Sequence, residues 1–176
     1  LDRMIRFAVF SCIAGGIGAV MILPEIYALG YTVSGEFNFP ETWVNYFSIL
    51  DMLQRSLIEV PVAIFEAHDP NVYCTVAVFL LLPLYCLCDK INGKEKIGKV
   101  ALVALFFISF NTNIPNYIWH GFHFPNSLPA RESFIYIFLV ITMIYEAYLN
   151  IRKMKKKQLW GAFAGAVGVI LLMEEL

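Results

Sequence analysis

Apolar residues gather in five blocks along the chain, at 7–29, 72–88, 97–114, 134–149 and 159–173, separated by stretches rich in charge, proline and amide side chains. Each block comes near the roughly 17 to 25 residues that a helix rising about 1.5 Å per residue needs to cross a bilayer. The pattern predicts an all-α polytopic bundle of five transmembrane helices in a single membrane domain, with long connections at 30–71 and 115–133. Asn111, Thr112 and Asn113 interrupt the third block.

A different periodicity appears inside the first long connection. Trp43, Phe47, Leu50, Leu53 and Leu57 recur at helical spacing, while Asn45, Ser48, Asp51, Gln54 and Arg55 fill the other faces. This predicts an amphipathic interfacial helix over 43–60, capped by Thr42 and ended by Pro61. Such a helix lies on lipid headgroups or walls a groove that admits a long lipid. Asp51 and Arg55 stand four apart with the acid first, the favourable order for a helical ion pair.

Composition agrees with a lipid-embedded chain: 59% of residues are hydrophobic, 15% aromatic and 15% charged, and the mean hydropathy is +0.67. The net charge of −1 conceals a strong separation. Of the 13 basic residues, all but Arg55 and Arg131 lie before the first block, from the end of the second to the opening turn of the third, or between the fourth and fifth. Basic residues near span ends stay cytoplasmic, so the amino terminus is expected in the cytoplasm, the carboxyl terminus outside, and both long connections on the outer face. The lysines then act as membrane anchors and give no footprint for nucleic acid.

The start at Leu1, the lack of a signal-peptide pattern before the first block, and the end directly after an apolar run predict an internal fragment with no removable leader. Cys12, Cys74, Cys86 and Cys88 lie in apolar runs and predict small hydrophobes with no disulfide framework. Gly15, Gly16 and Gly18, with Gly161, Gly165 and Gly168, predict close helix contacts. Glu146 predicts a snorkelling or interhelical hydrogen-bonding group.

Polar chemistry concentrates in 116–131, NYIWHGFHFPNSLPAR. Arg131, one of two outward cations, suits an anionic headgroup or phosphate, and Arg55 is the other. His120 and His123 suit hydrogen bonding to a sugar or phosphate, proton transfer, or a purely structural role. Gly121 and Pro125 break the regular helix a zinc pair would need, so no metal and no cofactor are expected. Trp119 with Tyr117, Phe122 and Phe124 forms an interfacial belt or a stacking surface for a sugar ring. Asn126 adds a hydrogen-bonding side chain, and Glu25 emerges beside Pro24 near the outer end of the first span.

Three elements resemble the YfhO family of bacterial membrane proteins: Trp119-His120-Gly121-Phe122, Pro129-Ala130-Arg131-Glu132-Ser133-Phe134 opening a span, and Leu23-Pro24 before a long outer loop. The likeness covers the whole chain, with Ala130 and Glu132 standing where bulkier residues are common. It implies a GT-C-type glycosyltransferase of the bacterial cell membrane. Such an enzyme moves a sugar from a polyprenyl-phosphate carrier to a cell-envelope acceptor such as a teichoic acid. The same resemblance implies that the catalytic carboxylate lies upstream of Leu1, leaving this chain part of an enzyme. The alternative is a non-enzymatic transporter or assembly protein that recognises anionic headgroups, against which stands the lack of an inverted repeat.

Overall fold

The computed structural model describes residues 2–32, 39–57, 62, 64, 68–124, 128 and 130–174, which form helices and connecting segments. The chain divides into two compact units, 1–39 and 40–176.

The first unit is helix α1, Asp2–Leu29, 28 residues long with Pro24 inside it and no buried residue. At about 1.5 Å per residue it extends some 42 Å, and an apolar surface on every side is what lipid requires. Its end is tied by a Thr32 hydroxyl bond to the Leu29 carbonyl, 2.8 Å, and by Tyr27 and Tyr31, whose hydroxyls lie 2.7 Å apart.

The second unit contains α2 (Ile49–Gln54), α3 (Val78–Leu87), α4 (Gly93–Asn111), α5 (Asn113–Trp119), α6 (Ser133–Asn150), a 3-10 turn (Ile151–Lys153) and α7 (Lys156–Glu174). Helix α3 packs against both α6 and α7, and α4 packs against α5 and α6. The core joins Phe106 and Phe110 of α4 to Tyr136, Val140 and Ile144 of α6. A second cluster joins Leu84 and Tyr85 to Met143, Ala147 and Ala162. Glu146 bridges α6 to α4 by accepting a hydrogen bond from Lys99, which also meets Glu95 at 2.7 Å.

The small-residue contact of α7 falls one position away from the expected one. Ala162 and Ala166 are the buried residues, whereas a Cβ built on Gly161, Gly165 or Gly168 meets nothing within 4 Å. The glycines are thus on open faces, and the methyls of the alanines fill the interhelical contact. Among the cysteines Cys88 is buried as a small hydrophobe, while Cys12 and Cys86 are exposed.

Among the described residues, two helices are long and apolar enough to cross a membrane, Asp2–Leu29 and Ser133–Lys153. The second apolar block becomes only the 10-residue α3. Helices α4 and α7 reach 19 residues each, but both carry lysines in their first turns.

Over 43–57, the described part of the expected amphipathic helix 43–60, the chain instead has an extended stretch through 42–47 and then the six-residue α2. Ser48, not Thr42, is the N-cap: its hydroxyl accepts the Asp51 amide at 3.2 Å, and Asp51 Oδ2 accepts the Ser48 amide at 2.9 Å. Asp51 therefore serves as a capping carboxylate, and Arg55 Nε donates to the Pro70 carbonyl at 3.2 Å. Val60 and Pro61 lie outside the described residues.

The extended stretch follows from the asparagines that interrupt the third block. The helix breaks at Thr112, whose φ of −132° and ψ of 143° are those of a strand. Asn111 then accepts the Phe47 amide at 2.8 Å and donates to the Phe47 carbonyl at 3.1 Å. Asn113 accepts the Val44 amide at 2.9 Å and donates to the Thr42 carbonyl at 2.7 Å. With the Asn45–Thr112 bridge, these side-chain amides act as a short sheet edge and satisfy backbone groups that a helix would have paired internally.

A candidate polar site at the loop end of the bundle

The long connections 40–71 and 112–133 meet beside the break between α4 and α5. The Leu128 amide donates to the Ile64 carbonyl at 2.7 Å, and Asn116 Nδ2 donates to the Tyr46 hydroxyl at 3.2 Å. The Tyr46 ring stacks on His68 with centroids 3.7 Å apart and planes 3° apart. Burial pushes the His68 pKa below its ordinary value, against an opposing pull from the Asp69 charge. Burial also raises Tyr46, offset by the Asn116 hydrogen bond.

Helix α5 ends in a Schellman turn, which explains the Trp119-His120-Gly121-Phe122 sequence. The Phe122 amide donates to Tyr117 O at 2.9 Å and the Gly121 amide to Ile118 O at 3.2 Å. Gly121 at φ +70° takes the left-handed position that glycine favours, and Phe122 follows at φ +64°. The Phe122 ring meets Tyr117 edge-on with centroids 6.1 Å apart, the apolar contact that accompanies this turn. Trp119, the last residue of the helix, stacks on Phe106 of α4 at 5.7 Å.

His120 is fixed by this turn. Its Nδ1 lies 2.8 Å from the Asn116 carbonyl, and a carbonyl only accepts, so Nδ1 carries a proton and Nε2 is the acceptor of the neutral ring. Nε2 is buried with no hydrogen-bond partner, and the residue is 8% exposed. Glu132, immediately before α6, is likewise 8% exposed, and its Oε1 is buried without a partner. Its side chain makes no capping bond to α6, although it occupies the N-cap. Arg131 next to it is exposed, and Ala130 before it is buried with φ +50°.

The family model described as bacterial membrane protein YfhO matches residues 1–174. The chain belongs to the YfhO family. No match was found among curated proteins or among solved structures. Family membership and the two apolar helices make it a bacterial membrane protein.

In this YfhO-family chain, His120, Trp119 and His123 share the α5 terminus and the turn after it, with His123 half-buried. Arg131 stands at the start of α6, next to the orphan carboxylate. Arg55 lies on the other connection and holds the backbone at Pro70, two residues from His68. Glu25 is exposed on α1 in the first unit. Asn126 lies outside the described residues.

Sequence pattern put Asn116 in the polar stretch but missed the burial of Glu132 and the pairing of Tyr46 with His68 beside it. Glu132 had one available signal: a carboxylate at a helix N-terminus beside an outward arginine. Tyr46 and His68 had none, because their meeting with α5 depends on the asparagine-docked strand. His120 and Glu132 offer two buried acceptors, a chemistry that hydroxyl donors would satisfy.

Proposed function

We propose that this chain forms part of a membrane glycosyltransferase that moves a sugar from a polyprenyl-phosphate carrier to an extracytoplasmic acceptor such as a teichoic acid. The observation that carries the reading is two buried, unpartnered acceptors in the same connection, His120 Nε2 and Glu132 Oε1, with the exposed Arg131 next to Glu132 in sequence. Sugar hydroxyls are donors that satisfy two such acceptors, and a guanidinium forms a planar fork for phosphate oxygens. Trp119 and Phe122, both exposed, add apolar faces against which a sugar ring can stack.

In the transfer, an acceptor hydroxyl oxygen attacks the sugar's anomeric carbon, the bond from that carbon to the phosphate oxygen breaks, and polyprenyl phosphate leaves. The hydroxyl proton passes to a base. Arg131 stabilises charge growing on the departing phosphate, while His120 and Glu132 orient hydroxyls. The proposed topology keeps five spans, with the lysine-bearing ends of α4 and α7 cytoplasmic and the His120 end outside. Helices α4 and α6, at 19 and 18 residues, separate the two ends by about 27 Å at 1.5 Å per residue.

The test is sugar transfer from labelled polyprenyl-phosphate sugar by membranes holding the complete protein. His120→Ala and Arg131→Ala are expected to lower transfer while insertion and abundance stay unchanged. Arg131→Lys is expected to lose most of the activity, since lysine keeps the charge and lacks the fork. Undiminished transfer in all three variants overturns the reading, and movement of the intact lipid across the membrane without transfer would favour a transporter.

A further inference from the structure

The lysine-bearing end of the second unit contains a feature that sugar transfer at the opposite end does not use. Between α3 and α7 runs an open apolar groove of about 640 Å³, walled by Leu80, Leu84, Ile151, Leu159, Trp160 and Phe163, with Lys156 on its lining. The same segment, 151–160, also borders a smaller polar hollow of about 190 Å³ to which Lys90, Lys153 and Lys155 contribute. Asp89 is the acid on that hollow, and it meets Lys155 at 3.6 Å. Lys90, Lys153 and Lys156 make no ion pair among the described residues, so the hollow and the groove mouth keep an excess of positive charge.

The geometry runs from charge to hydrocarbon in one direction. Lys156 opens α7, Trp160 lies one turn further on, and Phe163 stands seven residues from Lys156, about 10 Å along the helix. Trp160 is 69% exposed and meets Phe163 edge-on at 6.0 Å. An exposed tryptophan one turn from a lysine cluster marks the headgroup level of a bilayer. Leu80 and Leu84 continue the apolar floor from the antiparallel side.

We infer that this groove and hollow form a binding site for one anionic phospholipid, with an acyl chain along Leu80, Leu159 and Phe163 and the phosphate held by Lys156 and Lys153. Basic pockets between membrane helices recognise anionic headgroups through short-range charge, and each nearby lysine contributes about fivefold in affinity. The apolar wall distinguishes the occupant from a free anion, which gains nothing from a hydrocarbon slot.

The experiment uses the full chain, purified in detergent, stripped of lipid and then offered phosphatidylglycerol, phosphatidylcholine or inorganic phosphate, with bound molecules counted by native mass spectrometry. Phosphatidylglycerol is expected to be retained at one copy per chain, well above the other two. Lys156→Glu and Trp160→Ala are each expected to reduce retention about fivefold or more, and Lys156→Arg to preserve it. Thermal unfolding checks that each variant is folded, and Lys156→Arg with Trp160→Ala still decides the matter if Lys156→Glu does not fold. Equal retention of phosphatidylcholine would mean ordinary surrounding lipid, and equal retention of phosphate would mean a bare anion site. Either outcome, or indifference to both Lys156→Glu and Trp160→Ala, overturns the assignment.

Discussion

The imidazole of His68 lies flat on the phenol ring of Tyr46, 3.7 Å between centroids, while Asn116 of α5 donates to the Tyr46 hydroxyl at 3.2 Å. One aromatic pair thus links the first long connection to the helix that ends in His120. Burial of the imidazole disfavours its charged form, and this makes the stability of the contact sensitive to pH.

The sign follows from the depressed pKa of His68. As pH falls through its ordinary value of 6.5, the unfolded chain takes up a proton before the folded chain does. Stability contributed by the neutral ring is present above that pH and is lost below it. Thermal unfolding in detergent should therefore decline from about pH 7.5 to about pH 5 by more in the wild type than in His68→Phe, which keeps the stack without the titration. Parallel declines in the two proteins would remove His68 from the account.

Gly121 should tolerate substitution poorly for a reason confined to the backbone. A Cβ there meets nothing within 4 Å, yet φ is +70°. Gly121→Ala is expected to cost about 1 to 2 kcal/mol, and Gly121→Asn less, because asparagine enters the left-handed region more readily. Unfolding midpoints of the two variants give the comparison, and an alanine variant as stable as the wild type would mean the Schellman turn is not formed.

The asparagine edge predicts a local effect rather than a global one. Asn113→Ala removes the side-chain bonds to Val44 and Thr42, at a net cost of about 1 to 3 kcal/mol. Hydrogen exchange at 42–47 should speed up in that variant while the amides of α6 keep their protection. Uniform loss across α6 as well would show that the strand is not a separate docked element.

These particulars explain what the sequence made legible. Apolar run length marked out α1 and α6, because a helix long and apolar enough to cross a membrane is legible in composition over a long window. The motif around His120 was also visible, since glycine after a helical aromatic run carries its own backbone rule. The strand at 42–47 was not. Its Trp43 and Phe47 fit a helical period with the leucines that follow, but Asn111 and Asn113, over sixty residues away, supply paired amide partners that local periodicity cannot register. Glu132 was passed over because a carboxylate beside an arginine before a helix reads as solvated, whereas the fold leaves it only 8% exposed.

The burial of Glu132 separates a functional carboxylate from a structural one. Its Oε1 has no partner and its side chain does not cap α6, so removing the charge deletes a desolvated group without deleting a bond at that atom. Glu132→Met is then expected to leave thermal stability unchanged or raise it by up to about 2 kcal/mol, the cost ordinarily carried by a buried unsatisfied polar group. The same variant should lose sugar transfer in the complete protein, because the acceptor that meets a hydroxyl is gone. Glu132→Gln, which keeps the shape and one acceptor oxygen, should fall between. A residue retained for the fold gives the opposite pattern, with lower stability and transfer lost only in proportion to unfolded protein. Unfolding midpoints and transfer rates measured on the same preparations distinguish the two, and a destabilised Glu132→Met with normal specific activity would return the carboxylate to a purely architectural role.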